Sequence, residues 1–173
     1  MRKKNPNIEI IVEKSPPNMV RIEKLSSLFK SYSILAYNRN PYANCASMLY
    51  RHFDADNIDD KARKIALTSL ANKWIIRSSI IKDLIQKQNV PFLTYEDFSS
   101  SPEKIIHKIP LPKNITENLD PYATIKVKDY PPQTISNHNT RQIAKLKSHE
   151  IAFLSKIFSK HKELLLTFGY TLL

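Results

Sequence analysis

The sequence predicts an α/β fold of three layers, in which a parallel sheet is flanked by helices. Short runs of β-branched and aromatic residues alternate with segments that carry apolar residues at helical spacing. The strongest helical segment extends from about Asp59 to Gln88. With 173 residues, of which 42% are hydrophobic, the chain can bury one core of ordinary size. We therefore expect residues 1–173 to form a single α/β domain.

A strand–helix–strand unit is predicted at the start of the chain. The runs "IEIIVEK" (8–14) and "SYSILAYN" (31–38) are typical of short buried strands. The segment 18–30 between them has helical spacing at Met19, Ile22, Leu25, Leu28 and Phe29. Two strands joined through a helix pair in parallel, which is the basis of the predicted sheet.

The elements after the second strand are predicted from caps and apolar spacing. Asn40 and Pro41 favour an N-cap and first helical residue, with the helix continuing to about Phe53. The run "VPFLTYEDF" (90–98) supplies a third strand over about 90–95, and a helix over 101–109 follows, with Ser101 as its cap. For the buried side of the helix over 59–88, the apolar spacing predicts Ile65, Leu67, Leu70, Trp74, Ile81 and Leu84.

The last third of the chain begins with an irregular segment. Residues 110–147 contain five prolines and little periodicity, which predicts an irregular loop over the surface. This loop is our candidate for the surface that selects an acceptor substrate. A helix from about Ser148 to Phe168 follows, with Ile151, Leu154, Phe158, Leu165 and Phe168 facing inward.

Composition excludes several classes of site and partner. The formal charge of +11 favours anionic partners. Cys45 is the only cysteine, so no intrachain disulfide is possible and a reducing, cytoplasmic compartment is expected. No apolar stretch approaches the ~20 residues of a membrane span. Gly169 is the only glycine, which excludes a Gly-rich phosphate loop or nucleophile elbow within these residues, and the histidines lack the spacing of metal ligands.

Residues suited to holding phosphate follow the predicted strands. Lys14 ends the first strand, and Arg39 ends the second, at the start of a helix. Ser47 lies eight residues after Arg39, two helical turns on, where its hydroxyl can face the same side. Open α/β sheets bind ligands at the carboxyl ends of their strands. The plainer interpretations, a solvated strand end for Lys14 and a small packing residue for Ser47, remain open. We further expect free backbone N–H groups at this helix start to assist Arg39.

The residues that carry these features resemble a known family. "VEKSPPNMVRIEKLSSLFKSYSILAYNRNPYANCAS" (12–47) resembles the segment of 3′-phosphoadenosine 5′-phosphosulfate (PAPS)-dependent sulfotransferases from a Glu-Lys-Ser/Thr-Pro strand end to the 3′-phosphate-binding Arg-(x)7-Ser element. "VPFLTYEDFSSSPEKIIHKI" (90–109) is similar to the family's Tyr-Glu-Asp strand and Pro-Glu helix start. "LLLTFGYTLL" (164–173) resembles its closing Phe-Gly-Tyr, and "SNHNTRQ" (136–142) is weakly similar to a late loop that reaches the cofactor in some members.

The resemblance implies a P-loop NTPase-like sulfotransferase fold and a role for each candidate residue. Lys14 would be catalytic, beside the bridging oxygen of the PAPS donor. Arg39 and Ser47 would hold the 3′-phosphate, Tyr95 would contact the adenine, and Arg141 would add a second cation. The sulfuryl group would pass to a hydroxyl of a carbohydrate, lipid or peptide. No general base is assigned, since Glu96 and Asp97 are expected to cap or orient backbone.

The resemblance also implies which part of the family domain is present. The matched residues correspond to the C-terminal two-thirds of a sulfotransferase domain, truncated before the 5′-phosphosulfate loop, so we expect the isolated chain to transfer sulfate poorly. A non-catalytic nucleotide- or polyanion-binding protein remains the alternative. A nucleic-acid partner is not expected, because the basic residues are not clustered and are poorly interleaved with aromatic residues.

Overall fold

The computed structural model describes residues 11–126 and 131–173 of the chain. These belong to two compact units, Met1–Tyr32 and Ser33–Leu173. The elements of the first unit are a 3₁₀ helix, Pro16–Val20, and helix α1, Ile22–Ser26. Those of the second are β1 Ala36–Asn38, α2 Pro41–His52, α3 Asp60–Gln88, β2 Phe92–Thr94, α4 Tyr95–Ser100, α5 Lys104–Lys108, α6 Lys113–Asn118, α7 Asn139–Ile143, α8 Ser148–Phe158, a 3₁₀ helix Ser159–His161 and α9 Lys162–Thr167.

The first unit differs from the predicted strand and helix. Residues 8–10 of the predicted strand lie outside the described residues, and 11–14 form no strand, with Ile11 and Val12 64% and 87% exposed. A strand needs a partner for its backbone groups and for one apolar face, and 11–14 pair with no described strand. The predicted helix over 18–30 is reduced to α1, where the Ser26 and Ser27 hydroxyls donate to the carbonyls of Glu23 and Lys24.

The second unit contains a small parallel sheet, which confirms the mixed α/β class in its general form. β1 and β2 pair in parallel with Ala36 opposite Phe92 and Asn38 opposite Thr94. The pairing joins two of the three predicted strands, although each is only three residues long. Within the described residues the sheet has these two strands, so the third predicted strand is absent from it.

Helix α3 agrees closely with its prediction and supports the sheet. Its 29 residues begin after Asp59, whose carboxylate accepts from the Ala62 N–H, and end at Gln88, before Asn89 in the left-handed conformation. Five of the six predicted buried side chains are buried, and Ile65 is 64% exposed. Ala66 and Leu67 occupy the buried stripe, so the preceding residue, Ile65, faces away from it.

An aromatic cluster lies where α3 meets the end of the chain. The Trp74 ring contacts the rings of Phe158, Phe168 and Tyr170 at centroid distances of 5.6, 6.4 and 6.3 Å. The predicted helix over 148–168 is divided into α8, a 3₁₀ turn and α9, and Gly169 ends it at φ 74°. This packing places the C-terminal residues beside the sheet.

The described helices also bear on two other predictions. The helix predicted over 101–109 is shorter than expected. Ser101 lies at the end of α4, and α5 starts only at Lys104. The predicted loop over 110–147 contains α6 and α7. Within the described ranges, no helix combines the length and apolar character needed to cross a bilayer.

The predicted cap of α2 is present and makes a testable contribution to stability. The Asn40 Oδ1 atom accepts from the Tyr42 and Ala43 N–H groups at 3.0 and 3.1 Å. We expect Asn40→Ala to lower the free energy of unfolding by about 1 kcal/mol, and Asn40→Gly by only a few tenths, since glycine leaves the backbone open to water. Urea denaturation of the two variants checks this, and equal losses would contradict it.

Candidate functional site

The candidate site lies where the two parallel strands end. Because the strands are parallel, Asn38 and Thr94 lie side by side at one edge of the sheet. The chain then continues into Arg39 and Asn40 on one side, and into Tyr95 on the other. Polar side chains from both continuations therefore meet at this edge.

The backbone of Arg39 is held by the strand end and the core. Its N–H donates to Asn38 Oδ1 at 2.9 Å, and the Asn38 amide donates to the buried Ser78 hydroxyl at 3.0 Å. The Arg39 carbonyl accepts from Trp74 Nε1 at 2.9 Å. Since Trp74 belongs to the aromatic cluster, the position of Arg39 is tied to the core.

The start of α2 does not offer the free N–H groups that were expected there. Pro41 has no N–H, and the N–H groups of Tyr42 and Ala43 are taken by the Asn40 side chain. The Asn44 N–H donates to the Asn40 carbonyl at 2.9 Å. The Asn40 N–H donates to Glu96 Oε1 at 3.0 Å. An anion at this end of the sheet would therefore be bound by side chains.

The guanidinium of Arg39 has two partners, and one of its nitrogen atoms is buried without an acceptor among the described residues. Its Nε donates to Asn139 Oδ1 at 2.8 Å, and its central carbon lies 4.2 Å from the centroid of the Tyr95 ring. Its Nη2 atom is buried and has no hydrogen-bond acceptor in the described part of the chain. A buried donor of this kind is uncommon, because an unmet hydrogen bond costs about 1–3 kcal/mol.

Tyr95 connects Arg39 to the segment before α7. Its hydroxyl donates to the Ser136 carbonyl at 2.8 Å and accepts from the His138 N–H at 3.0 Å. One face of its ring is covered by the Arg39 guanidinium. The predicted contact between Tyr95 and adenine stays a prediction.

Glu96 accepts hydrogen bonds from three elements. Besides the Asn40 N–H, the Asn139 amide donates to its Oε1, and the Tyr170 hydroxyl donates to its Oε2 at 2.8 Å. Burial, followed by the negative charge of Glu96, raises the pKa of Tyr170. The expectation that Glu96 orients backbone is confirmed for Asn40, but its bonds to Asn139 and Tyr170 were not foreseen.

Two arginine side chains lie near His138. Arg141 is exposed, and its side chain makes no ion pair with a described residue. Burial, and then the charges of Arg141 and Arg39, holds the pKa of His138 below its ordinary value. Arg39 and Arg141 therefore both place positive charge near His138, a residue that was missed from sequence.

The two remaining predicted site residues lie in other parts of the chain. Ser47 is half-buried in α2, and its hydroxyl has no hydrogen-bond partner among the residues that the structure describes. Lys14 is exposed and belongs to the first unit, in the irregular stretch before the 3₁₀ helix. Their predicted roles stay predictions.

Known proteins give no direct guide to this site. Comparisons with family models, with curated proteins and with solved structures find no match to the chain. Over residues 11–126 and 131–173, no three or more His, Cys, Asp or Glu side chains are grouped to hold a metal ion. The chemistry of the site is thus that of Arg39 and its neighbours.

Proposed function

We propose that the chain binds a 3′-phosphorylated adenosine nucleotide at the ends of β1 and β2, and that this nucleotide is PAPS, the donor of a sulfuryl group to a hydroxyl-bearing acceptor. The observation that carries the proposal is the buried Nη2 of Arg39, which has no acceptor among the described residues. A phosphate oxygen would satisfy it. The resemblance to sulfotransferases assigns the 3′-phosphate to the same residue.

The surroundings of Arg39 support an anion as its ligand. Guanidinium groups bind phosphate through paired, charge-assisted hydrogen bonds, worth about 1.5–3 kcal/mol when the partner is charged. Arg141 adds positive charge nearby, since, besides burial, its charge and that of Arg39 both lower the pKa of His138. Glu96, which shares Asn139 with Arg39, already accepts from Asn40, Asn139 and Tyr170, so these neutral donors stabilise its charge.

The other residues contribute to the proposal through the resemblance. Ser47, whose hydroxyl has no partner among the described residues, would share the 3′-phosphate, and Tyr95 would border the adenine. Lys14 would neutralise charge that develops on the bridging oxygen of the donor. PAPS supplies the sulfuryl group, and the protein contributes position and charge stabilisation, as in phosphoryl transfer.

A non-catalytic nucleotide- or polyanion-binding protein is the second candidate. The net charge of +11 and the single glycine favour it, since these 173 residues contain no Gly-rich loop to cradle a phosphosulfate. The two candidates share the Arg39 site and differ in turnover. Incubation with sulfur-35 PAPS and a panel of hydroxyl acceptors separates them, because only the first candidate yields labelled acceptor.

Calorimetric titration tests the shared site. We expect adenosine 3′,5′-bisphosphate to bind about 10- to 100-fold more tightly than AMP, because a charged hydrogen bond of about 1.5–3 kcal/mol is made only by the 3′-phosphate. Adenosine 2′,5′-bisphosphate is the matched control, since it has the same charge in another position. Equal affinity for the two bisphosphates would indicate general attraction to a basic surface, and equal affinity for AMP would refute the proposal.

A further inference from the structure

The side chain of Arg39 is oriented by an asparagine one hundred residues away in sequence. Asn139 Oδ1 accepts from Arg39 Nε at 2.8 Å. The amide nitrogen of the same side chain donates to Glu96 Oε1. Asn139 therefore stands between a guanidinium and a carboxylate, with one polar atom facing each.

This arrangement permits only one orientation of the Asn139 amide. Arg39 Nε can only donate, and an ionised Glu96 can only accept. A flipped amide would bring two donors together at Arg39 and two acceptors together at Glu96. The identity of the two neighbours thus fixes the amide, and the amide in turn fixes the Nε edge of Arg39.

Both oxygen atoms of the Glu96 carboxylate accept hydrogen bonds from other parts of the chain. Its Oε1 accepts from the Asn40 N–H at 3.0 Å, at the start of α2. Its Oε2 accepts from the Tyr170 hydroxyl at 2.8 Å, and Tyr170 packs with Trp74 in the core. The chain of contacts from Tyr170 through Glu96 and Asn139 to Arg39 is continuous. With Nε engaged and Tyr95 against the plane, the Nη2 donor is left for another partner.

We propose that Glu96 and Asn139 are positioning residues that hold Arg39 in the orientation needed to select the 3′-phosphate. The inference rests on the proposed function, because it concerns how the same site distinguishes its ligand. Neither residue needs to touch the nucleotide. Their loss should lower the selectivity for the 3′-phosphate, while attraction to the rest of the nucleotide persists.

Single variants measured by calorimetry test this role. We expect Asn139→Ala and Glu96→Ala to reduce the preference for adenosine 3′,5′-bisphosphate over AMP by about five- to tenfold. Glu96→Gln should stay within about twofold of the wild type, since an amide oxygen can accept from Asn40 and Asn139 while its nitrogen donates to the Tyr170 hydroxyl. Thr140→Ala, an exposed neighbour in α7 with no side-chain hydrogen bond to a described residue, is the matched control.

A double-mutant cycle separates positioning from general stability. In the Arg39→Ala background, Asn139→Ala should change the affinity by no more than about twofold, because the residue it positions is gone. Thermal melting of each variant identifies any loss of affinity that reflects unfolding. The Glu96→Gln variant tests the contacts from Tyr170 through Glu96 and Asn139 to Arg39 with little structural change.

The outcomes distinguish this inference from the proposed function. If the wild type shows no preference for the 3′-phosphate, the proposed function fails and the inference falls with it. If the preference depends on Arg39 but survives in Asn139→Ala, only the positioning role is overturned. Fully additive losses in the cycle would likewise overturn it.

Discussion

Replacement of Arg63 by alanine should lower the free energy of unfolding by about 3–5 kcal/mol, the range for breaking a buried ion pair. The Arg63 and Glu150 side chains are each 4% exposed and form two hydrogen bonds, of 2.6 and 3.0 Å. Arg63 also donates to the Ala55 carbonyl. Removing the guanidinium leaves a buried carboxylate with no compensating charge. Urea denaturation at neutral pH measures the loss.

An exposed ion pair on the same helix is the matched control for Arg63. Lys87 and Asp83 form an i,i+4 pair at 3.2 Å with side chains 71% and 59% exposed. We expect Asp83→Asn to change stability by less than about 0.5 kcal/mol, because exposed helix pairs contribute little. A loss for Arg63→Ala no larger than for Asp83→Asn would contradict the buried-pair interpretation.

The Arg63–Glu150 ion pair also predicts how stability depends on pH. Burial alone would raise the pKa of Glu150, but the hydrogen bonds from Arg63 and from the Lys147 backbone hold that pKa below its ordinary value. A lowered pKa means that the contribution is present above the ordinary glutamate range and is lost as the pH falls through the folded-state value. The wild type should therefore lose more stability on acidification than Arg63→Ala.

Replacement of Arg39 by alanine should have its large effect on nucleotide binding, whereas that of Arg63 acts on stability. We expect adenosine 3′,5′-bisphosphate to bind about 10- to 100-fold more weakly, the equivalent of one charged hydrogen-bonded contact. Affinity for AMP should change little, because AMP lacks the 3′-phosphate. Calorimetry on the two ligands gives the ratio directly.

Arg51→Ala is the control for charge in this experiment. Arg51 is exposed in the last turn of α2, about 15 Å along the axis from the helix start. The Arg51→Ala substitution removes the same charge without changing the strand ends, so it should leave the preference for the 3′-phosphate intact. Equal losses from Arg51→Ala and Arg39→Ala would show that only net charge matters.

Local sequence patterns predicted the framework of the site well. The bounds of α3 and the Asn40 cap with Pro41 at the start of α2 follow from capping and apolar spacing. These features depend on residues within a few positions of one another. Arg39 at the strand end belongs to the same local pattern.

Tertiary partners explain where the sequence prediction failed. The apolar run around Ile11 and Val12 has the composition of a strand, yet strand formation requires a neighbouring strand, which local composition does not specify. Asn139 lies 100 positions from Arg39, and Tyr170 lies 74 from Glu96. The segments that hold Asn139 and Tyr170 resemble a family pattern, but nothing local indicates that the two residues meet at Glu96.

Nuclear magnetic resonance of the Arg39 guanidinium tests most directly whether this residue receives the nucleotide phosphate. With nitrogen-15 arginine labelling, the Arg39 Nε–H signal is assigned by its disappearance in Arg39→Ala. We predict that adenosine 3′,5′-bisphosphate shifts this signal at saturation, that AMP shifts it far less, and that the Arg51 signal stays unchanged. An Arg39 signal that is unmoved by the bisphosphate at saturation, or that moves equally with AMP, would contradict a 3′-phosphate site at the end of the sheet.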